Sequence, residues 1–113
     1  MADIVETAID RSSHLREVYE RLVAEVSKLG SVTVEPLKTS VHIKAKSGFA
    51  GVHVRKDYFI LQIVSESPIN DERVVKVEQV SKNRYHNHVR VESVGAIDGQ
   101  LLAWLKEAYR LMA

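Results

Sequence analysis

The sequence contains no cysteine, and this absence excludes several classes of site at once. Without thiols there is no disulfide framework, no zinc–cysteine site, no iron–sulfur cluster and no cysteine nucleophile. A cysteine-free chain fits a reducing compartment, so we expect the protein to be cytoplasmic. The first ten residues, MADIVETAID, carry acids where a signal peptide needs positive charge, which agrees with that expectation.

Long hydrophobic runs and an excess of one charge are also absent. No stretch approaches the roughly 20 apolar residues that a membrane-spanning helix needs, so no membrane contact is expected. The net charge is +1, from 16 basic and 15 acidic residues. A dedicated nucleic-acid-binding protein usually has a clear basic excess, so nucleic acid is a weakly supported partner.

Signatures of catalysis are scarce as well. The chain has only five glycines, and none are clustered, so it has neither a phosphate-binding loop nor a dinucleotide-binding Gly-x-Gly-x-x-Gly motif. The Gly-x-Ser-x-Gly turn that carries a nucleophilic serine is also missing. We therefore expect no cofactor, and a binding role rather than catalysis.

The composition is that of a folded globular protein. Hydrophobic residues make up 45% of the 113 residues and charged residues 27%, which argues against disorder. A chain of this length suits one hydrophobic core. We expect residues 12–113 to form a single α+β domain and residues 1–11 to form a short N-terminal extension.

A helix is predicted near the start of this domain. Apolar residues recur at intervals of three and four from Leu15 to Leu29, as they do on one face of a helix. Ser12 or Ser13 is a suitable N-cap, because its side-chain oxygen can accept from an unpaired backbone amide. Gly30 follows at the position where a left-handed C-cap favours glycine.

A second helix is predicted at the C-terminus. Asp98 is a suitable N-cap, and apolar residues follow at helical spacing. Trp104 and Tyr109 belong to this apolar stripe, so we expect Trp104 to be buried against the sheet. The alternative for these two aromatic residues is that they line a pocket.

The segment between the helices alternates apolar and polar residues, as strands do. The run YFILQIV, residues 58–64, is nearly all apolar and predicts a central strand covered on both faces. Short turns between strands favour antiparallel pairing, and the simplest packing puts both helices on one face. The sequence therefore predicts a two-layer α+β fold with an antiparallel meander of five or six strands, near residues 32–35, 41–46, 50–55, 58–64, 74–80 and 85–92.

Four of the five histidines fall in these strands, on the face opposite the predicted core. Such a face can bind an anion, or a metal through neutral imidazoles, and the His-x-His spacing of His86 and His88 places two rings on one side. Neighbouring cations disfavour a metal, so no metal site is expected. The candidate ligand-binding residues are His42, Lys44, His53, Arg55, Arg73, His86, His88 and Arg90.

Binding is therefore the leading functional hypothesis, with an anionic small molecule or another protein as the partner. One alternative is a small hydrolase or transferase that uses the same histidines for acid–base chemistry near Arg73. A second alternative is an accessory domain associated with nucleic acid. Apolar area from residues 58–64 within the polar face could also form a pocket floor or the contact of a homodimer.

The run KVEQVSKNRYHNHVRVES, followed by IDGQLLAWLKEAY, resembles the family known as domain of unknown function 5655. The resemblance extends from about Ser12 to the C-terminus. It implies a single small domain and no established activity. The residues that carry the resemblance also include Lys28-Leu29-Gly30, Phe49-Ala50, Arg73, His86, His88, Trp104, Ala108 and Tyr109.

Overall fold

The computed structural model of the protein describes residues 13–37, 40–56 and 58–113. Among these residues, one helix precedes and another follows a six-stranded antiparallel sheet, so the predicted α+β fold is confirmed. The predicted N-terminal extension, residues 1–11, lies outside the described residues. The elements are α1 (Ser13–Ser27), β1 (Thr33–Pro36), β2 (Ser40–Lys44), β3 (Gly48–Val54), β4 (Phe59–Ser65), β5 (Val74–Ser81), β6 (Arg84–Val91), a 3-10 turn (Val94–Ala96) and α2 (Gly99–Met112).

The strand order departs from a meander at one end of the sheet. The order is β1-β2-β3-β4-β6-β5, so the first four strands follow the chain as predicted, but β6 pairs with β4 and β5 takes the edge. Burial explains the exchange. Asn87, Val89 and Val91 of β6 are fully or almost fully buried, whereas nearly all of β5 is exposed. The strand with more surface to bury takes the inner position.

Asn87 fixes the loop that makes this exchange possible. Its side-chain oxygen accepts a hydrogen bond from the backbone amide of Ile69 (2.9 Å), within the loop between β4 and β5. Its side-chain nitrogen donates to the carbonyl of Ile63 (3.0 Å) and to the hydroxyl of Ser65 (2.7 Å). One fully buried amide therefore ties the loop to β4 and β6.

The core lies between the two helices and one face of the sheet. As predicted, β4 is a central strand that is covered on both faces, since even Ile60 (8% exposed) and Val64 (7%) are buried. In the described part of the chain, neither helix is long and apolar enough to cross a membrane. The helices contribute Leu15, Val18, Leu22 and Val26 from α1 and Leu101, Leu105 and Ala108 from α2.

Trp104 is less buried than the sequence predicts. Leu101, Leu105 and Ala108 form the part of α2 that packs on the sheet, and Trp104 lies at the flank of this stripe, half-buried. The guanidinium of Arg73 lies 5.0 Å from the centre of its ring. The helical stripe was therefore identified correctly, but the indole lies at its border, where it contacts a cation.

Gly30 allows close contact between the end of α1 and α2. Its φ of +147° lies in a region that other residues rarely adopt. A Cβ at this position would also collide with the hydroxyl of Tyr109, whose ring packs edge-on against Phe49 with the centroids 5.5 Å apart. The glycine thus meets a backbone requirement and a packing requirement together.

We expect Gly30→Ala to lower the free energy of unfolding by about 1–3 kcal/mol, because alanine disfavours this φ and meets the Tyr109 hydroxyl. Tyr109→Phe in the same background should recover part of the loss, since the colliding oxygen is removed. Gly99→Ala is the matched control, because a Cβ there meets open space. Urea denaturation gives the free energy of unfolding of the wild type, the two Gly30→Ala proteins and the control. An equal loss in the control would contradict the assignment.

We expect Asn87→Ala to lower the free energy of unfolding by about 2–4 kcal/mol, because the partly buried amide of Ile69 loses its acceptor and a small cavity is left at the buried position 87. Hydrogen exchange should show residues 66–70 losing protection before the rest of the sheet. Asn83→Ala, in the exposed turn before β6, is the control and should change little. Unchanged exchange in the loop of the Asn87→Ala protein would show that this side chain does not anchor it.

Candidate functional site

The face of the sheet opposite the helices, called the open face below, carries a row of aligned polar residues. Register places the members of this row directly opposite one another on successive strands. In β2, β4 and β6 the row alternates with buried residues, which explains why its side chains lie on the face opposite the core. Across the sheet it runs Glu35, His42, Gly51, Gln62, His88 and Lys76.

A hollow of about 210 Å³ lies on the open face around Gly51. Because Gly51 has no side chain, the row has a gap between His42 and Gln62. This volume is below the roughly 300–1,000 Å³ of pockets for drug-sized ligands, so the hollow suits a small chemical group. The polar side chains around it are those of His42, His53, Gln62 and His86, and its apolar lining comes from Phe49, Ala50 and Val64.

Hydrogen bonds orient two of the imidazole rings. The amide of Gln62 donates to Nδ1 of His86 (2.7 Å), so in its neutral form this ring carries its proton on Nε2. Nε2 of His88 donates to Oε1 of Glu78 (2.8 Å). The hydrogen bond from His88, together with the charge of Lys76, lowers the pKa of the Glu78 carboxyl, which is therefore ionised at neutral pH.

The pKa of His53 is lowered from its ordinary value of 6.5. Partial burial is the largest cause, followed by the positive charge of Arg55 and by repulsion from His88 and His42. Gln62 opposes the shift weakly through a hydrogen bond. His53 is therefore mainly neutral at pH 7, and it sits where any added positive charge is unfavourable unless an anion compensates it.

The predicted cations of the open face differ in whether an acidic side chain already pairs with them. Lys44 pairs with Glu35 (3.3 Å), and Arg90 pairs with Glu92 and lies 4.0 Å from the ring centre of Tyr58. Among the residues that the structure describes, no acidic side chain pairs with Arg55. Within the described part of the chain, Arg55 is therefore a cation of this face whose charge no acidic side chain compensates.

Arg90 also covers the apolar side chain of its neighbour on β4. Ile60 lies opposite both His53 and Arg90 in the sheet register and is 8% exposed. The apolar area of β4 on the open face is therefore screened by its neighbours and does not form an exposed patch. Val64 instead contributes to the hollow, in agreement with the pocket-floor alternative.

Arg73 does not join the histidines. Its guanidinium donates to Asp71 (3.1 Å) and to Asp98 (3.2 Å), and it stacks on Trp104. Asp98 is also the N-cap of α2, where it accepts from the amide of Leu101 (2.9 Å). Arg73 thus links the β4–β5 loop to the start of α2, and the idea of histidine acid–base chemistry beside it loses its geometric basis.

A second hollow, of about 430 Å³, lies between the β4–β5 loop and α2. Trp104 lines it, as the alternative for this residue predicted. Its ionisable lining residues are the carboxylates Glu66, Asp71 and Glu107, and Asp71 is already paired with Arg73. We therefore take the smaller hollow, with its imidazoles, as the candidate site.

Metal binding has no further support from the geometry. Within residues 13–37, 40–56 and 58–113, no three His, Asp or Glu side chains are grouped so that they could hold a metal ion. The rings of His86 and His88 are engaged by Gln62 and Glu78 instead. The His-x-His spacing alone does not create a metal site.

Three residues of the site were missed in the sequence, although each left a signal there. Gln62 is the one polar residue inside the run YFILQIV, and Glu78 alternates with valines in β5. Gly51 lies inside a strand, where glycine often marks a gap or a close approach. Their pairing with the histidines depends on the strand order, which the sequence did not specify.

Of three comparisons with known proteins, the scan against protein families found a match. The family model described as Domain of unknown function (DUF5655) matches residues 2–112. A search of the curated proteins and a search of the solved structures each found no match to the chain.

We expect the free energy of unfolding to fall as the pH drops below about 6.5, because the unfolded chain binds the His53 proton before the folded protein does. Above pH 6.5 both states are mainly neutral at this position and the effect disappears. His53→Gln should remove part of the fall, as measured by urea unfolding from pH 5 to pH 8. His14→Gln, which lies outside the histidines of the open face, should leave the fall in unfolding free energy unchanged. If His53→Gln also leaves that fall unchanged, the lowered pKa of His53 is contradicted.

Proposed function

The chain belongs to the family described as a domain of unknown function (DUF5655), and we propose that it is a non-catalytic binding module for a small anionic molecule. The observation that carries this proposal is the hollow around Gly51, which is lined by three histidines and the Gln62 amide. The proposed ligand presents a carboxylate or phosphate group to these side chains. The cytoplasmic location expected from the sequence stays a prediction.

The charge of the lining supports an anion rather than a cation. His42, His53 and His86 border the hollow together with Gln62, and no carboxylate is among its described lining residues. Imidazole and amide groups supply N–H donors, which are the partners that carboxylate and phosphate oxygens require. The positive charge of Arg55, which lowers the pKa of the neighbouring His53, adds long-range attraction for an anion.

The lowered pKa of His53 gives this binding a definite pH dependence. The ring is mainly neutral without ligand, because burial and neighbouring positive charges oppose its protonation. An anion in the hollow would favour the charged ring and so raise its pKa. Binding would then take up a proton, and affinity would increase as the pH falls through about 6.5 and below. Metal binding would show the opposite trend, because ligating imidazoles must be neutral.

Inorganic phosphate is the probe for this proposal, with amide NMR at pH 5.5, 6.5 and 7.5 as the measurement. We expect shifts confined to residues 41–44, 50–54, 60–64 and 86–90, with affinity at least several-fold greater at pH 5.5 than at pH 7.5. Gly51→Leu should abolish the shifts, because the added side chain fills the hollow and a Cβ there meets only the carbonyl of Val41 at 3.7 Å.

Gly99→Leu is the matched control, since it adds the same side chain where a Cβ meets open space at the start of α2. This protein should bind phosphate as the wild type does. His86→Ala combined with His88→Ala should weaken binding and keep the fold, because neither ring belongs to the hydrophobic core. Shifts scattered over the helices, or binding that is stronger at pH 7.5, would refute the proposal.

A second candidate function, acid–base catalysis, is favoured by one observation. The carboxylate of Glu78 orients the ring of His88 at 2.8 Å, as a carboxylate does for a catalytic histidine. It ranks second because His88, although a member of the row, is not among the residues that line the hollow. Turnover of small phosphate or acetate esters that is lost in both His88→Asn and Glu78→Gln would move it to first place.

A further inference from the structure

The two edges of the sheet differ in how strongly they resist pairing with another strand. At one edge β1 is only four residues long and ends at Pro36, which has no amide to donate. At the other edge β5 has eight residues and no proline. Three of its four valines are exposed: Val75 (57%), Val77 (40%) and Val80 (53%). Among the residues that the structure describes, the edge at β1 is therefore protected, and no strand pairs with the outer side of β5.

We propose that β5 pairs antiparallel with β5 of a second copy of this chain, about a two-fold axis at Val77. This arrangement places Lys76 opposite Glu78 of the second copy, and by symmetry it forms the same pair again on the other side of the axis. Both side chains are exposed at this edge, Lys76 at 62% and Glu78 at 47%. Within one chain they form a loose ion pair (3.8 Å), and Glu78 also accepts from His88 (2.8 Å), so the second copy would add a further partner to each charge. An edge strand with charges of one sign would repel a second copy. Lys76 and Glu78 carry opposite charges, so each can pair with its counterpart on the second copy.

The charges select one register among the neighbouring ones. An axis at Lys76 would place two lysines opposite each other, and an axis at Glu78 would place two glutamates opposite each other. An axis between two residues would align side chains that point to different faces, which a continuous sheet does not allow. The register centred on Val77 is therefore the one that pairs opposite charges and adds a contact between the two Val77 side chains.

The irregularities of β5 lie outside the central residues of this interface. The pairing of β5 with β6 shifts between Val74 and Lys76 and again between Gln79 and Ser81. Residues 76–79 between these shifts are regularly paired with β6, so their outer backbone groups can continue the sheet. The two-fold axis is perpendicular to the sheet, so both open faces lie on one side and the helices on the other. The dimer does not depend on the proposed anion binding.

The interface is tested by charge exchange in the full chain, with sedimentation equilibrium from about 1 μM to 1 mM as the readout. Lys76→Glu places Glu opposite Glu twice, and Glu78→Lys places Lys opposite Lys twice. Cross-strand like charges oppose pairing about as strongly as opposite charges favour it, so each variant should dimerise roughly tenfold or more weakly than the wild type. Mixing the two variants restores both opposite-charge pairs, so a heterodimer should form with about the affinity of the wild type.

Lys106→Glu and Glu17→Lys make the same charge changes on exposed faces of α2 and α1 and should leave the dimer unchanged. Circular dichroism confirms that each variant is folded. In a mixture of labelled and unlabelled chains, a cross-subunit NOE between the two Val77 residues gives the register directly. A wild type that is monomeric at 1 mM, a dimer that both variants leave intact, or a mixture that fails to associate would each overturn the proposal.

Discussion

The buried amide of Asn87 is the interaction on which the strand order and the open face depend. It holds the β4–β5 loop against β4 and β6, and this loop carries β5 to the edge so that β6 lies beside β4. Because side chains alternate along a strand, the residues on either side of Asn87 point to the open face. The sequence His86-Asn87-His88 thus supplies a structural anchor on one face and two imidazoles, beside Gln62 and Glu78, on the other.

The placement of charge separates structural ion pairs from the candidate site. Arg73 is surrounded by Asp71, Asp98 and Trp104, so its charge stabilises the contact between the loop and α2. The hollow around Gly51 has no carboxylate among its described lining residues, and burial and nearby cations lower the pKa of His53. An anion would relieve that repulsion, which is why this hollow supports binding better than the larger one beside Trp104.

Much of the fold and part of the site could be predicted from local sequence patterns. Helical spacing located both helices, Asp98 was recognised as an N-cap, and alternation placed His42, His53, His86 and His88 on the face opposite the core. The strand order could not be predicted, because it depends on long-range burial of β6 and on the hydrogen bonds of Asn87. For the same reason the sequence missed the partners Gln62 and Glu78 and grouped Arg73 with the histidines.

Binding of an anion among the imidazoles is tested most directly by the ring pKa of His53, followed by NMR of the imidazole nuclei with and without saturating phosphate. Without phosphate the pKa should lie below 6.5, because of burial and the neighbouring positive charges. With phosphate it should rise, since the bound anion favours the protonated ring, and in Gly51→Leu it should not respond. The same His53 pKa in the presence and absence of phosphate would contradict this account of the open face.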